Sequence, residues 1–227
     1  MTALLWLLLL APLAAGWLVQ RRLNQTFVRY RRVPNHLGVT GAELARALLD
    51  AHGLRDVRLE SAPGYLTDHY DGAAGALRLS NAVAQEASVA ALGIAGHEVS
   101  HAYQDAEGSR AYRLRKAIAE PLGAFAPWSG LLFIGGFWFG VPLLMVLSVV
   151  YVAGLVAFAL ATLPVELGAS RRALTLLQSA GLTDAGETSA VRSVLGAAAW
   201  TYVVGLLRQV GLFLSLVLIA AMAHSVG

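Results

Sequence analysis

The stretch Gly96-His97-Glu98-Val99-Ser100-His101-Ala102 carries an H-E-x-x-H pattern. On an α-helix, positions i and i+4 share a face, so His97 and His101 can address one metal ion while Glu98 reaches a water bound to it. Neutral imidazole suits Zn²⁺, and two histidines plus a carboxylate leave the fourth position open for water. Zinc lowers the pKa of that water to roughly 7, and the glutamate takes its proton as the water attacks a carbonyl. The chemistry implied is metal-assisted amide hydrolysis, with Glu98 as the catalytic base. A pattern this short also arises by chance, so the rest of the chain must decide. Helix-forming flanks, Ala90 to Ala95 before and Ala102 to Gln104 after, favour a real site, as does a downstream acid that can complete the ligand set.

Composition bounds the setting. The chain is 57% apolar and 14% charged, well away from a soluble average, and its apolar residues come in blocks. That pattern implies membrane spans joined to a water-facing part. There is no cysteine, so a disulfide framework and thiolate ligands are excluded, and a metal must be held by His, Asp or Glu. A net charge of +3 and a pI near 9.5 raise the question of nucleic acid. The arginines, however, lie mostly beside apolar blocks, where they signal topology, and no nucleic-acid partner is expected.

The elements that must position the site follow in order. Residues 1–20 read as a first transmembrane helix built on the block Leu4 to Val19. A cleaved signal peptide is the alternative, with Leu13-Ala14-Ala15-Gly16 as cleavage region. Against it, positive charge follows the block (Arg21, Arg22, Arg29, Arg31, Arg32), which places the amino terminus outside and the continuation in the cytoplasm. Residues 21–117 form a water-facing, zincin-like α+β region. Thr40-Gly41-Ala42-Glu43 is a capping box opening a helix with Leu44, Ala47, Leu48 and Ala51 on its apolar stripe, ended by Gly53. Val57 to Glu60 reads as a strand, and Tyr65 to His69 with Ala76 to Leu79 as two more around a turn at Asp71-Gly72. The motif helix is expected over about 88–106, with Gly108 at its end. Its apolar lead-in, bounded by Glu86, is far short of the ~20 residues that a span needs.

Pro121 to Val165 contains no charged residue, too long for one span and right for two. Residues 118–164 are therefore a transmembrane hairpin, with spans over Ala119–Phe139 and Leu143–Leu163 and the turn at Gly140-Val141-Pro142. Arg113, Arg115 and Lys116 before it and Arg171 and Arg172 after it put both flanks in the cytoplasm. Two spans return the chain to the side it left, so Glu166, the first acid after the block, can join His97 and His101 as third ligand; an odd number would forbid it. The alternative is a glutamate favoured at the amino terminus of a helix over Gly168 to Ala180. Residues 165–202 are expected to hold that helix and a following amphipathic one over Val191–Tyr202, and residues 203–224 a fourth span ending outside. Arg208 would snorkel within it to the cytoplasmic interface.

Together these features resemble the YugP-like membrane zinc metallopeptidases of bacteria, neutral metallopeptidases of the glutamate-zincin type, over nearly the whole chain. The resemblance rests on Leu66-Thr67-Asp68-His69-Tyr70-Asp71, on Gly96 to Ala102, and on Leu163-Pro164-Val165-Glu166 with Ala169-Ser170-Arg171-Arg172-Ala173. It implies one zinc per chain on His97 and His101 with Glu98 as base, and the glutamate-zincin pattern supports Glu166 as third ligand. The implied place is the bacterial inner membrane, multi-pass, with a peptide or protein substrate, the lipid bilayer and a homo-oligomer or membrane-protein partner around it. Glycines such as Gly130, Gly135, Gly136 and Gly140 would permit close helix approach. Two departures stand out: Ser100 where the family usually has Gly, and Gly168 where it usually has an acid. Losing an acid that orients a ligand weakens metal binding by ~10–100-fold.

Further candidates are weaker. Asp68-His69-Tyr70 lies where an edge strand can hold an extended substrate, and His69 or Tyr70 can stabilise an oxyanion; the alternative is that Asp68 and His69 are turn-flanking polar residues. Tyr202 can face the site or anchor at the interface. Two rival functions remain: an intramembrane protease with the motif inside a span, and a non-catalytic scaffold keeping a structural metal. The short lead-in and the lack of any Asp in the apolar blocks oppose the first; Gly168 alone favours the second.

Overall fold

In the computed structural model, residues 2–125 and 128–225 are described. The architecture is mostly helical with a small sheet: α1 (Thr2–Arg31), α2 (Gly41–Ala51), β1 (Arg58–Ala62), β2 (His69–Asp71), β3 (Ala76–Ser80), α3 (Asn81–Ala84), α4 (Val89–Ala106), α5 (Arg110–Phe125), α6 (Ser129–Trp138), α7 (Pro142–Ser179) and α8 (Ala185–Ser225). The chain divides into two compact units. One takes the residues up to Gln20, Arg110–Val165 and those from Trp200 on; the other takes Arg21–Ser109 and Glu166–Ala199.

The second unit has a hydrophobic core. Leu44, Leu49, Leu77, Leu79, Leu92 and Leu177 are among its fully buried side chains. Helix α2 starts as the capping box requires: Thr40 Oγ1 accepts from the Glu43 amide at 3.3 Å, and the Glu43 carboxylate accepts from the Thr40 amide at 2.9 Å. Its buried stripe is Gly41, Leu44, Ala45, Leu48 and Leu49, rather than one through Ala47 and Ala51. Turning the helix to bury Leu49 removes more apolar area from water than burying two alanines would. The strand order is β1-β3-β2, with β1 parallel and β2 antiparallel to β3, so β2 is an edge. No strand forms over 65–68, because Leu66 has φ +55°, which breaks the extension. The turn also lies later than Asp71-Gly72: Asp71 ends β2, its carboxylate accepts from the Ala73 and Ala74 amides at 3.0 Å each, and Gly75 supplies the positive φ.

Helix α4 is capped by Ser88, whose hydroxyl accepts from the Ala91 amide at 3.2 Å, and it ends where Gly108 takes φ +64°. A Cβ on Gly93 would lie 3.1 Å from Val191, and one on Gly96 would lie 3.6 Å from both Ala173 and Leu177. Small residues thus let α4 sit close against the carboxyl-terminal part of α7 and the beginning of α8.

Three helices, α1, α7 and α8, are long and apolar enough to cross a membrane. The first expected span of the hairpin is instead a pair, α5 and α6, bent by 48°, which makes a fourth crossing if the pair acts as one; its residues 126–127 lie outside those described. The hairpin after it is tight: Gly140 takes φ +65°, and a Cβ on Gly136 would meet Met145 at 2.8 Å. Helix α7 corrects the expected order. It runs unbroken for 38 residues through Pro164, nearly twice the ~20 that a span needs. Pro164 removes one donor, but the residue just before it, Leu163, is a poor cap, and no new helix starts there. Glu166 is therefore inside a helix, and the reading of it as an amino-terminal dipole partner is wrong. Likewise α8 is one helix where an amphipathic helix and a separate span were expected, and it begins at Ala185 behind a second capping box. Asp184 accepts from the Glu187 amide at 2.7 Å, and Glu187 accepts from the Asp184 amide at 3.1 Å. The carboxyl-terminal residues 226–227 lie outside those described.

Candidate metal centre

Three donor atoms converge in the second unit. His97 Nε2 and His101 Nε2 project from one face of α4 and lie 3.2 Å apart. Glu166 Oε2, from α7, lies 3.2 Å from the first and 3.4 Å from the second. Bond lengths of about 2.0–2.1 Å to a tetrahedral zinc put adjacent donors roughly 3.3 Å apart. The three observed separations match that edge length, so the residues present fit a zinc ion. All three residues and Glu98 are buried, none more than 9% exposed.

The far nitrogens of both imidazoles are engaged. His101 Nδ1 is 2.9 Å from Gln104 Oε1, and His97 Nδ1 is 3.2 Å from Ser170 Oγ. An amide oxygen can only accept, so Nδ1 of His101 carries a proton, and in the neutral ring Nε2 is left to offer its lone pair to a metal. Gln104 stands three residues after His101 on the same helix face, a spacing visible in the sequence but carrying no motif; Ser170 lies one turn beyond Glu166 on α7. Neither is in the expected ligand set. Gly168 lies beside this arrangement: a Cβ there would come 3.3 Å from Gln104 Nε2. Where an acid was expected to support a ligand, a glycine makes room for the glutamine that does so. Ser100 turns inward and donates to the Gly96 carbonyl at 2.7 Å.

Glu98 points toward the edge strand. Its Oε2 accepts from the Tyr70 backbone N–H at 3.0 Å. Tyr70 pairs with Leu77 across β2 and β3, and this N–H is directed out of the ladder toward α4. Burial pushes the Glu98 carboxyl above its ordinary pKa; His97 and His101 pull it down, and Glu166 and Asp68 push it further up. Burial lowers His101, but the Glu166 hydrogen bond and the Glu98 and Glu166 charges outweigh it, and its pKa is raised.

The weaker candidates separate. Asp68 accepts from the Ser80 amide at 2.7 Å and from the Ser80 hydroxyl at 3.1 Å, tying the start of β2 to the end of β3. Burial raises its pKa against those bonds. The exposed His69 has Nδ1 2.8 Å from the Thr67 carbonyl. The Tyr70 hydroxyl donates to Asp105 at 3.1 Å, so its backbone, not its phenol, meets the site. Tyr202 belongs to the other compact unit. A second group of potential ligands, His36, Asp184 and Glu187, lies together, but both of its carboxylates cap α8 and Glu187 also holds the His36 amide and ring.

The fold and the site define a mostly helical chain with helices of membrane-spanning length that gathers two histidines and a glutamate beside a second glutamate. Comparison with known sequences narrows it. Residues 5–221 match the family described as "Putative neutral zinc metallopeptidase", and the chain belongs to that family. It is 39% identical over 215 residues to "Putative membrane protease YugP" of Bacillus subtilis (strain 168), covering 92% of this chain and 96% of that protein. No solved structure matches.

Proposed function

We propose that the protein is a membrane-embedded, zinc-dependent endopeptidase, with one zinc held by His97, His101 and Glu166 and with Glu98 as general base. The observation that carries this reading is the triangle of donor atoms, 3.2, 3.2 and 3.4 Å on its sides, closed by a residue from a separate helix. Zinc bound there would supply a Lewis acid with an open position, acidifying water to a pKa of about 7 and polarising the scissile carbonyl. Glu98 accepts the proton of the attacking water as the new C–O bond forms. It then delivers that proton to the amide nitrogen as the C–N bond breaks. Gln104 and Ser170 hold the two imidazoles in the tautomer and orientation that the reaction needs. An extended peptide adding to the edge strand β2 would compete with Glu98 for the Tyr70 N–H and so release the carboxylate toward the scissile bond.

The arginine-rich flanks of the apolar blocks favour an active site on the cytoplasmic side of the bacterial inner membrane. The substrate is a peptide or protein. The test is zinc stoichiometry of the detergent-purified chain beside Glu166→Ala and Glu98→Gln. One zinc in the wild type, most of it lost in Glu166→Ala and retained in Glu98→Gln, is the expected result. Zinc retained by Glu166→Ala would refute the third ligand, and no zinc in the wild type under zinc-replete conditions would sink the enzyme.

A further inference from the structure

The apolar unit holds a charge with no acid to meet it. Arg208 lies in α8 within the long apolar run, and among the described residues it has no hydrogen-bond or ion-pair partner. No acidic residue occurs in α1, and none occurs in the chain after Glu187. Three contacts set the helix directions. The Gly211 position meets the Leu8 carbonyl and Pro12, and a Cβ on Gly16 would lie 3.7 Å from Val204. As numbers rise along α1 they fall along α8, so the two helices are antiparallel. Arg208 therefore starts about two turns inside the apolar stretch, measured from Thr201. Its side chain leans toward the amino-terminal end of α8, as helical side chains do. That is the direction of Gln20, where the apolar block of α1 ends and Arg21 and Arg22 follow.

At this place α1 and α8 enclose a groove of about 440 Å³. Pro12, Leu13 and Val204 give it an apolar lining, and Gln20, Thr201 and Arg208 give it polar atoms. Trp17, 61% exposed, lies on its wall. Glycines 16 and 205 keep the groove open, and nothing lies within 4 Å of a Cβ placed on Gly205. In hydrocarbon a bare guanidinium is costly, and it persists where an anion or interfacial water reaches it. An apolar cleft leading to one cation and two hydrogen-bonding side chains, with Trp at its edge, matches a phospholipid, an acyl chain in the cleft and the phosphate at its polar end.

We infer that the groove between α1 and α8 is a binding site for an anionic phospholipid, its phosphate held by Arg208 with Gln20 and Thr201 and an acyl chain laid over Leu13 and Val204. The site shares no residue with the metal centre and does not depend on the proposed hydrolysis. The test uses the full-length, delipidated protein in detergent, titrated with phosphatidylglycerol or phosphatidylcholine and read by native mass spectrometry and by the shift in Tm. Wild type should retain one phosphatidylglycerol in preference to phosphatidylcholine. Arg208→Gln should weaken phosphatidylglycerol by about fivefold, the scale of one basic residue acting on an anionic lipid, and leave phosphatidylcholine unchanged. Arg208→Lys should keep the preference, which separates loss of charge from loss of fold. Gly205→Leu, filling the groove, should weaken both lipids. Equal binding of the two lipids by wild type, or an undiminished preference in Arg208→Gln, would overturn the inference. So would displacement of the lipid by inorganic phosphate at equal concentration, which would mark a simple anion site.

Discussion

Around His97 and His101, helices are fixed by polar bonds between residues far apart in sequence. Glu166 closes on both histidines, Ser170 holds His97, and the Tyr70 amide holds Glu98. In the apolar unit, α1 meets α8 through Gly211 and Gly16, and α6 meets α7 through Gly136 against Met145. The described side-chain polar atom that is buried without a partner, Thr162 Oγ1, belongs to this unit. The difference follows from the surroundings expected for each. In water, burial drives helices together, and a buried polar cluster persists only if its members satisfy one another. In lipid the hydrophobic drive between helices vanishes, and small residues that allow close backbone approach take over. A reaction needing fixed lone pairs and a positioned base belongs to the first kind of region.

Substitutions can break this contrast, beginning with the largest effect. Glu98→Gln should lower hydrolysis by ~10²–10⁴-fold, the range for a lost general base, while zinc content by atomic absorption stays at the wild-type level. If zinc falls as well, Glu98 is a ligand and its assigned role is wrong. Gln104→Ala should weaken zinc by ~10–100-fold in a chelator competition, because His101 loses the acceptor that fixes its tautomer. Gln104→Glu still offers an acceptor to His101 Nδ1 and should bind zinc close to wild type. In the apolar unit the sensitive positions are glycines. Gly211→Ala drives a methyl group into the Leu8 carbonyl and should destabilise the protein by about 1–3 kcal/mol, read as a lower Tm in detergent. Gly205→Ala, with open space around it, should leave Tm unchanged. The smallest effect is expected at the surface. Arg172 pairs with Glu107 through two bonds of 2.6 and 2.7 Å, yet both side chains are partly exposed, so Glu107→Gln should change stability by ~0–1 kcal/mol.

Much of this was legible in the sequence where the governing physics is local. The i, i+4 spacing of His97 and His101, the Thr40–Glu43 capping box, and the apolar blocks of membrane length are properties of short segments. The Asp184-x-x-Glu187 box is equally local, and it starts α8 at Ala185, ahead of the helix expected over Val191–Tyr202. Helix continuity was harder. Pro164 and the charges beyond it suggest a fresh start at Glu166, but an internal proline costs about 3 kcal/mol, less than leaving the several backbone groups of two new helix ends unpaired in apolar surroundings.

The sequence by itself determined the donor types, their pairing on one helix and the apolar lengths, because side-chain chemistry and helical period are written residue by residue. The sequence also pointed to Glu166 as the acid to join the two histidines; tertiary structure alone decided how closely it approaches them, that Gln104 and Ser170 hold the imidazoles, and that the Tyr70 backbone meets Glu98. Those contacts join segments up to 73 residues apart. Their geometry depends on how α4, α7 and β2 pack, and no local pattern encodes a distance of 3.2 Å between atoms on different helices.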